Sequence, residues 1–419
     1  MPVHSPNTLV FCMTKKRHLS LILILGSLTA LGPFSIDMYL PGFTAIAKDL
    51  KTTTAEVTLS LSSFFIGISA GQLLYGPLLD RFGRKPPLYF GLLLYILASA
   101  GCAFSTSIDS LIVLRLVQAI GSCAAAVASV ALVRDLFPPE ENAQVFSLLV
   151  LVLGVSPMLA PTVGGYVIAA FGWQSVFVIL GILSLLMLAS VFLWIPNTLK
   201  PDPNYSLMPA PIVRGFLSVL KEPMFYTFAF TGAFAISGLL AYVAGSPQVF
   251  MEIFHVSGKV YGWIFAALSV GLIGSSQVNS LLLKKYSSEQ ILNRALLILS
   301  LVGTLIFIGS YYNFIELDGT LALIFSFLCC IGFILPNTSA LSMSPFSKNA
   351  GSASALMGAS QMGVGALASV AISIFNNHTA IPMAAVMMIA AILAFIIFLA
   401  GSRKIASIKS RNVAFEVVN

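Results

Sequence analysis

The feature that most constrains this chain is a succession of apolar runs, each about 20 residues long, separated by short polar breaks. A run of that length as a helix matches the ~30 Å hydrocarbon core of a bilayer. Twelve such runs can be marked, at 19–41, 57–79, 87–105, 110–133, 143–169, 174–195, 224–247, 260–283, 291–312, 320–343, 352–375 and 382–401. Of the 419 residues 58% are hydrophobic and only 9% charged, with a mean hydropathy of +0.96. A water-soluble domain carries about 25% charged residues, so soluble, disordered and collagen-like chains are excluded. The longest polar break, Pro196 to Pro223, is proline-rich and divides the runs into two sets of six. The expected organisation is a tail at 1–18, a helical bundle at 19–195, a linker at 196–223, a second bundle at 224–401 and a tail at 402–419.

The start of the chain resembles the first two regions of a secretory signal, with Lys15-Lys16-Arg17 before an apolar run. No small-residue cleavage site follows, and the run continues to Asp37-Met38-Tyr39-Leu40-Pro41, so a retained first span is expected. Met13 precedes the basic cluster and is an alternative start to Met1.

The formal net charge of +7 acquires meaning from where the basic residues lie. With the amino terminus inside, eighteen of the 22 fall on the inner side: Lys15, Lys16, Arg17, Arg81, Arg84, Lys85, Arg134, Lys200, Arg214, Lys221, Lys284, Lys285, Arg294, Lys348, Arg403, Lys404, Lys409 and Arg411. Lys48, Lys51 and Lys259 lie on the other side. Such asymmetry predicts an even number of spans with both termini cytoplasmic. The basic excess thus points to anionic lipid head groups and not to nucleic acid. The five cysteines offer no metal spacing, and Cys102, Cys123, Cys329 and Cys330 sit in apolar runs as free, packed thiols.

Charges inside a span are costly and are functional candidates by default. Two stand out, Asp37 and Arg115. Asp37 lies roughly 27 Å along span one and Arg115 about 9 Å into span four from the opposite face, at 1.5 Å per residue. Because the two spans run in opposite directions, both reach a similar depth. A carboxylate facing a guanidinium there could exchange a proton or an anionic substrate for its partner; the alternative is a static ion pair fixing two helices.

Two enzymatic patterns can be set aside. Gly67-Ile68-Ser69-Ala70-Gly71 matches the nucleophile pattern G-x-S-x-G, but a serine hydrolase needs a nearby base, and His4, His18, His255 and His378 fall in tails or loops. A small-residue helix face is the expected reading. No G-x-x-x-x-G-K-[ST] segment exists to bind ATP, so the chain is read as a non-enzyme without metal or cofactor.

The break between spans two and three reads Gly76-Pro77-Leu78-Leu79-Asp80-Arg81-Phe82-Gly83-Arg84-Lys85. Flanking cations alone would not require the glycines and aspartate at this spacing. The segment resembles the signature loop of the major facilitator superfamily, G-x-L-x-D-R-x-G-R-K. Arg115-Leu116-Val117-Gln118-Ala119-Ile120-Gly121 resembles that family's span-four segment, with Ala119 in place of the glycine after Gln118. Gly154, Pro157, Pro161, Gly164 and Gly165 resemble its span-five antiporter motif, where prolines bend the helix and glycines permit close contact. Span eleven, with Gly351, Gly358, Gly363 and Gly365, is its counterpart in the second half. Asp37-Met38-Tyr39-Leu40-Pro41, Ser246-Pro247 and Ala350-Gly351-Ser352-Ala353-Ser354-Ala355 make it similar to the Bcr/CflA drug-resistance subfamily.

The resemblance implies an all-α membrane protein of twelve transmembrane helices in two six-helix bundles, the major facilitator fold. It implies a proton-driven antiporter exporting small amphipathic compounds of the bicyclomycin and chloramphenicol type, acting as a monomer. A metabolite or siderophore carrier, including an importer, is the alternative; a non-transporting membrane enzyme or scaffold is a remote one. Asp37, Arg115 and Gln118 would serve the central cavity and proton coupling. Asp80, Arg84 and Asp135, with Gly76, Arg81, Gly83 and Lys85, would form a cytoplasmic gate. The second-half loop, Lys284-Lys285-Tyr286-Ser287-Ser288, lacks the glycines and the acid, so only the first half would carry that gate.

Overall fold

The computed structural model describes residues 15–196, 198, 207–346 and 350–418. The expected start at Met13 and Cys12, and Lys200 and Lys348, lie outside them. Among the described residues, twelve helices are long and apolar enough to cross a membrane. The first half comprises α1 (Lys15–Asp37), a short α2 (Phe43–Asp49), α3 (Thr54–Phe82), α4 (Lys85–Ala103), α5 (Ile108–Leu136), α6 (Pro139–Phe171) and α7 (Gln174–Trp194). After α8 (Pro209–Leu220), the second half comprises α9 (Pro223–Pro247), α10 (Gly258–Leu282), α11 (Ser288–Tyr312), α12 (Leu317–Met343), α13 (Ala350–Ile374) and α14 (Ile381–Val418). An even number of spans returns both chain ends to one side, called here the terminal side; the other is the far side.

Local chemistry sets the helix ends. The Thr53, Ser107 and Ser287 hydroxyls accept from backbone N–H groups in the first turns of α3, α5 and α11, the last as a reciprocal capping box with Gln290. Gly83 ends α3 and Gly172 ends α6, each at φ +82°, a conformation that side-chain-bearing residues rarely adopt. Gly83 of the signature loop is therefore explained by backbone geometry. Gly76 is not, because a Cβ there would meet open space.

Within the first half, α5 packs against α1, α3 and α4, while α1 also lies on α6 and α7. In the second, α9 packs on α12, α13 and α14, and α12 on α10 and α11. Two seams join the halves, α3 on α13 and α6 on α10. Spans five and eight thus mirror spans eleven and two, as a repeated bundle requires. Lipid offers no hydrophobic drive for helix association, so close packing and interhelical hydrogen bonds carry these seams. Ser62 Oγ lies 2.6 Å from Ser369 Oγ, and the Ser373 hydroxyl donates to the Ala55 carbonyl at 2.6 Å.

Three local features add to the expected organisation. The linker carries a helix: Ile212, Phe216, Val219 and Leu220 turn one face of α8 inward, and Val219 is buried with Phe225, Ala229 and Ala353. The expected tail after 401 is helical, since nothing beyond Gly401 breaks α14, and Gly401 itself packs tightly on Thr227. His18 belongs to α1 and not to a tail; its Nε2 lies 3.0 Å from Glu141 of α6.

Candidate functional site

The α1 helix ends at Asp37, followed by a 3₁₀ turn at Leu40–Gly42. A helix terminus leaves its last carbonyls without intrahelical donors, and the Ser35 carbonyl is used by another element. Arg115 of α5 donates to it from Nη2 at 2.9 Å and from Nη1 to Gln118 Oε1 at 2.6 Å. Gln118, one helical turn on, donates to Ser99 Oγ at 2.8 Å. Ser35 Oγ sits 2.6 Å from the Tyr95 hydroxyl. The guanidinium also lies 4.3 Å from the Tyr39 ring centre, 4.2 Å from Phe64 and 5.7 Å from Phe177. Arg115 is wholly buried, and its Nε has no partner.

No carboxylate reaches this cation among the described residues. Its charge is balanced by the negative end of the α1 dipole and by three aromatic faces. The expected meeting of Asp37 with Arg115 does not occur. The reason is angular: residues two apart on a helix point to nearly opposite sides. The Ser35 side chain meets Tyr95 of α4, so the Asp37 side chain leaves α1 on the opposite side. Arg115 is enclosed here by groups of the first bundle.

Asp37 is 5% exposed, and neither hydrogen bond nor ion pair reaches its carboxyl among the described residues. It lies within electrostatic reach of two tyrosines across the seam, Tyr242 of α9 and Tyr261 of α10. The Tyr261 hydroxyl is 2.8 Å from Ser246 Oγ, which places the Ser246-Pro247 pair beside this site. Sequence reasoning missed both tyrosines, because an aromatic residue in an apolar span gives no sign of which way it points.

Just beyond Asp37 the far-side ends of α1, α6 and α10 meet backbone to backbone. A Cβ on Gly164 would collide with the Met38 carbonyl, and one on Gly165 would stand 2.7 Å from the Gly258 carbonyl. The Thr162 hydroxyl donates across the seam to the Gly262 carbonyl at 3.1 Å. Gly154 has only ordinary contact with Ile273 at 3.5 Å, so close approach there does not require glycine. Pro157 and Pro161 both fall inside the continuous α6.

On the terminal side, Arg84 Nη1 donates to Asp80 at 2.8 Å and Arg84 Nε to Asp135 at 2.8 Å. The Thr198 hydroxyl donates to the same Asp135 carboxyl at 3.0 Å. Burial opposes the Arg84 charge, but the hydrogen bonds from Asp135 and Asp80 outweigh it and hold the guanidinium above its ordinary pKa. The cluster ties together the ends of α3, α4 and α5 and the segment after α7, with Arg81 and Lys85 at the adjoining helix ends. All of it belongs to the first half.

Ser69 of the G-x-S-x-G pattern donates to the Ala359 carbonyl of α13 at 2.8 Å. Gly67 packs on Ala119 and the Leu116 carbonyl, and Gly71 on Cys123. The pattern is a helix-packing face.

Comparison with known proteins agrees with this architecture. A sequence model described as Major Facilitator Superfamily matches residues 25–369. An uncharacterized MFS-type transporter of Bacillus subtilis is 34% identical over 390 residues, 92% of this chain and 96% of that one. The bicyclomycin resistance protein homolog of Haemophilus influenzae is 33% identical over 362 residues, covering 86% and 91%. Among solved structures, an inward-facing, occupied bacterial homolog of the human lysosomal transporter Spinster superposes with a TM-score of 0.73. It is 14% identical, over 93% of this chain and 98% of that one. Twelve spans, two seamed bundles and these matches lead to one assignment: the chain belongs to the major facilitator superfamily, as a transporter of the Bcr/CflA type.

Proposed function

We propose that this transporter exports small amphipathic compounds of the drug type in exchange for protons, by alternating access between its two bundles. The observation that carries the reading is Asp37, a buried carboxyl without a fixed partner at the seam where the halves must move against each other. Titratable groups so placed inside a membrane bind and release protons as their exposure alternates. Export is supported by the resistance function in the name of the Haemophilus influenzae relative. In this reading the protein is a monomer in the bacterial inner membrane with both termini cytoplasmic. Its partners are protons, the substrate and the lipid bilayer, with no nucleic acid. It needs no cofactor or metal beyond the proton gradient. The Arg84 cluster then lies at the cytoplasmic end and steadies the first bundle as that side opens and closes.

Purified protein in liposomes with an imposed pH gradient tests this. Asp37→Asn is expected to fold and to lose gradient-driven uptake of a bicyclomycin or chloramphenicol probe. Gradient-dependent transport at the wild-type rate in that variant would overturn the reading.

A further inference from the structure

The assignment of Asp37 as the proton site leaves open what its carboxylate binds when the proton is gone. The Tyr242 hydroxyl is an unspent donor on the second-half side. Tyr242 is 1% exposed, and its oxygen is buried with no hydrogen-bond partner. Its ring is held by stacking on Phe265, centres 5.5 Å apart at 25°. Tyr261, the other tyrosine in reach of Asp37, already shares its hydroxyl with Ser246. A buried hydroxyl without a partner is unfavourable, and it is expected to find one in another state of a moving protein.

The surroundings favour that partner. From the elements packed on α1, α5 contributes Arg115, which is engaged on the opposite side at Ser35. The α7 helix has no titratable residue, and α6 has none between Glu141 and Tyr166. From the second half, the start of α10 at Gly258 lies against the Pro41 backbone, and Tyr261 and Tyr242, 6.0 and 5.5 Å from the Phe265 ring, are the titratable groups in electrostatic reach of Asp37. Both helices lead into irregular turns: Asp37 precedes the 3₁₀ turn at Leu40–Gly42, and α9 runs into a π-helical turn at Gln248–Ile253. Such turns mark places where a helix end can adjust, often at functional sites.

We propose that Tyr242 is a positioning residue that clasps Asp37 across the seam. When Asp37 releases its proton to the side then open, the Tyr242 hydroxyl donates to the carboxylate and draws α9 toward α1. Reprotonation from the other side neutralises the acceptor and releases the clasp. A hydrogen bond to a charged acceptor is about twice as strong as a neutral one, which makes the contact responsive to that proton. The proposal rests on Asp37 being the proton site.

The test is a distance measurement by pulsed electron resonance on the full chain in liposomes. Spin labels go on Phe104→Cys and Tyr312→Cys, exposed far-side positions of the two halves, in a Cys12→Ser, Cys329→Ser background. Wild-type Tyr242 is expected to give a far-side distance that changes between mildly acid and mildly alkaline buffer. Tyr242→Phe, which removes one oxygen that makes no hydrogen bond, is expected to lose that change while keeping the wild-type melting temperature. Asp37→Asn is expected to lose it as well. A pH-dependent distance that survives in Tyr242→Phe but vanishes in Asp37→Asn overturns the clasp and leaves the proton site standing. Its survival in both variants overturns the two together, as does its absence from the wild type.

Discussion

Arg115 and Asp37 share the same end of α1 and never meet: the guanidinium takes the Ser35 carbonyl at 2.9 Å, while the carboxyl two residues later has no ion-pair partner among the described residues. The two charges therefore have separate duties. Arg115 organises the first bundle internally, and Asp37 is free to respond to its surroundings.

Arg115→Ala is accordingly expected to act on stability. It strips partners from the Ser35 carbonyl and Gln118 and empties a cage of three rings. Breaking such a buried charged network costs about 3 kcal/mol or more. The melting temperature in detergent should fall by many degrees, whereas Asp37→Asn, which breaks no hydrogen bond, should leave it nearly unchanged. Equal losses in the two variants would contradict the separation.

The glycines of α6 should differ in tolerance. Gly165→Ala sets a methyl 2.7 Å from the Gly258 carbonyl of α10, so the far-side seam cannot close. Transport in liposomes is expected to drop at least tenfold. Gly154→Ala meets only Ile273 at 3.5 Å and should transport normally. The reverse ranking would show that the far-side contact is dispensable.

In the signature loop, Gly83 at φ +82° is the glycine with a conformational reason, and Gly76 stands in open space. Gly83→Ala is expected to cost about 1–3 kcal/mol, and Gly76→Ala should cost little. Comparing melting temperatures of the two variants settles the order.

The Arg84 cluster should be insensitive to alkali. Its pKa is raised above the ordinary arginine value, so its contribution to stability is present below that value and is lost only as pH rises through the higher, folded one. The stability difference between wild type and Arg84→Ala is expected to be the same at neutral and alkaline pH. Partly exposed pairs contribute about 1 kcal/mol or less, so the difference itself should be small. A difference that shrinks between neutral and mildly alkaline buffer would refute the assignment.

Ser69→Ala should retain transport, and wild-type Ser69 should resist fluorophosphonate labelling, because its hydroxyl is committed to the Ala359 carbonyl. Labelling at Ser69 would reopen the hydrolase reading.

Much of this molecule is legible along the chain. Twelve spans follow from local hydropathy, since crossing a bilayer constrains each run by itself. The signature loop is contiguous, so Asp80, Gly83 and Arg84 are recognisable together, and Asp135 joins them because it too lies at a terminal-side helix end. The amphipathic α8 was readable in principle from Ile212, Phe216 and Val219, but it was obscured by its proline-rich context.

Sequence alone determined how deep each charge lies, because depth is counted along the helix axis at a constant rise. It did not determine which way Asp37 and Arg115 face. Direction turns by about 100° per residue, and it is set only when neighbouring helices pack. Tertiary structure therefore decided that Arg115 closes on the end of α1, and that Asp37 is left buried without an ion-pair partner, within electrostatic reach of Tyr242 and Tyr261.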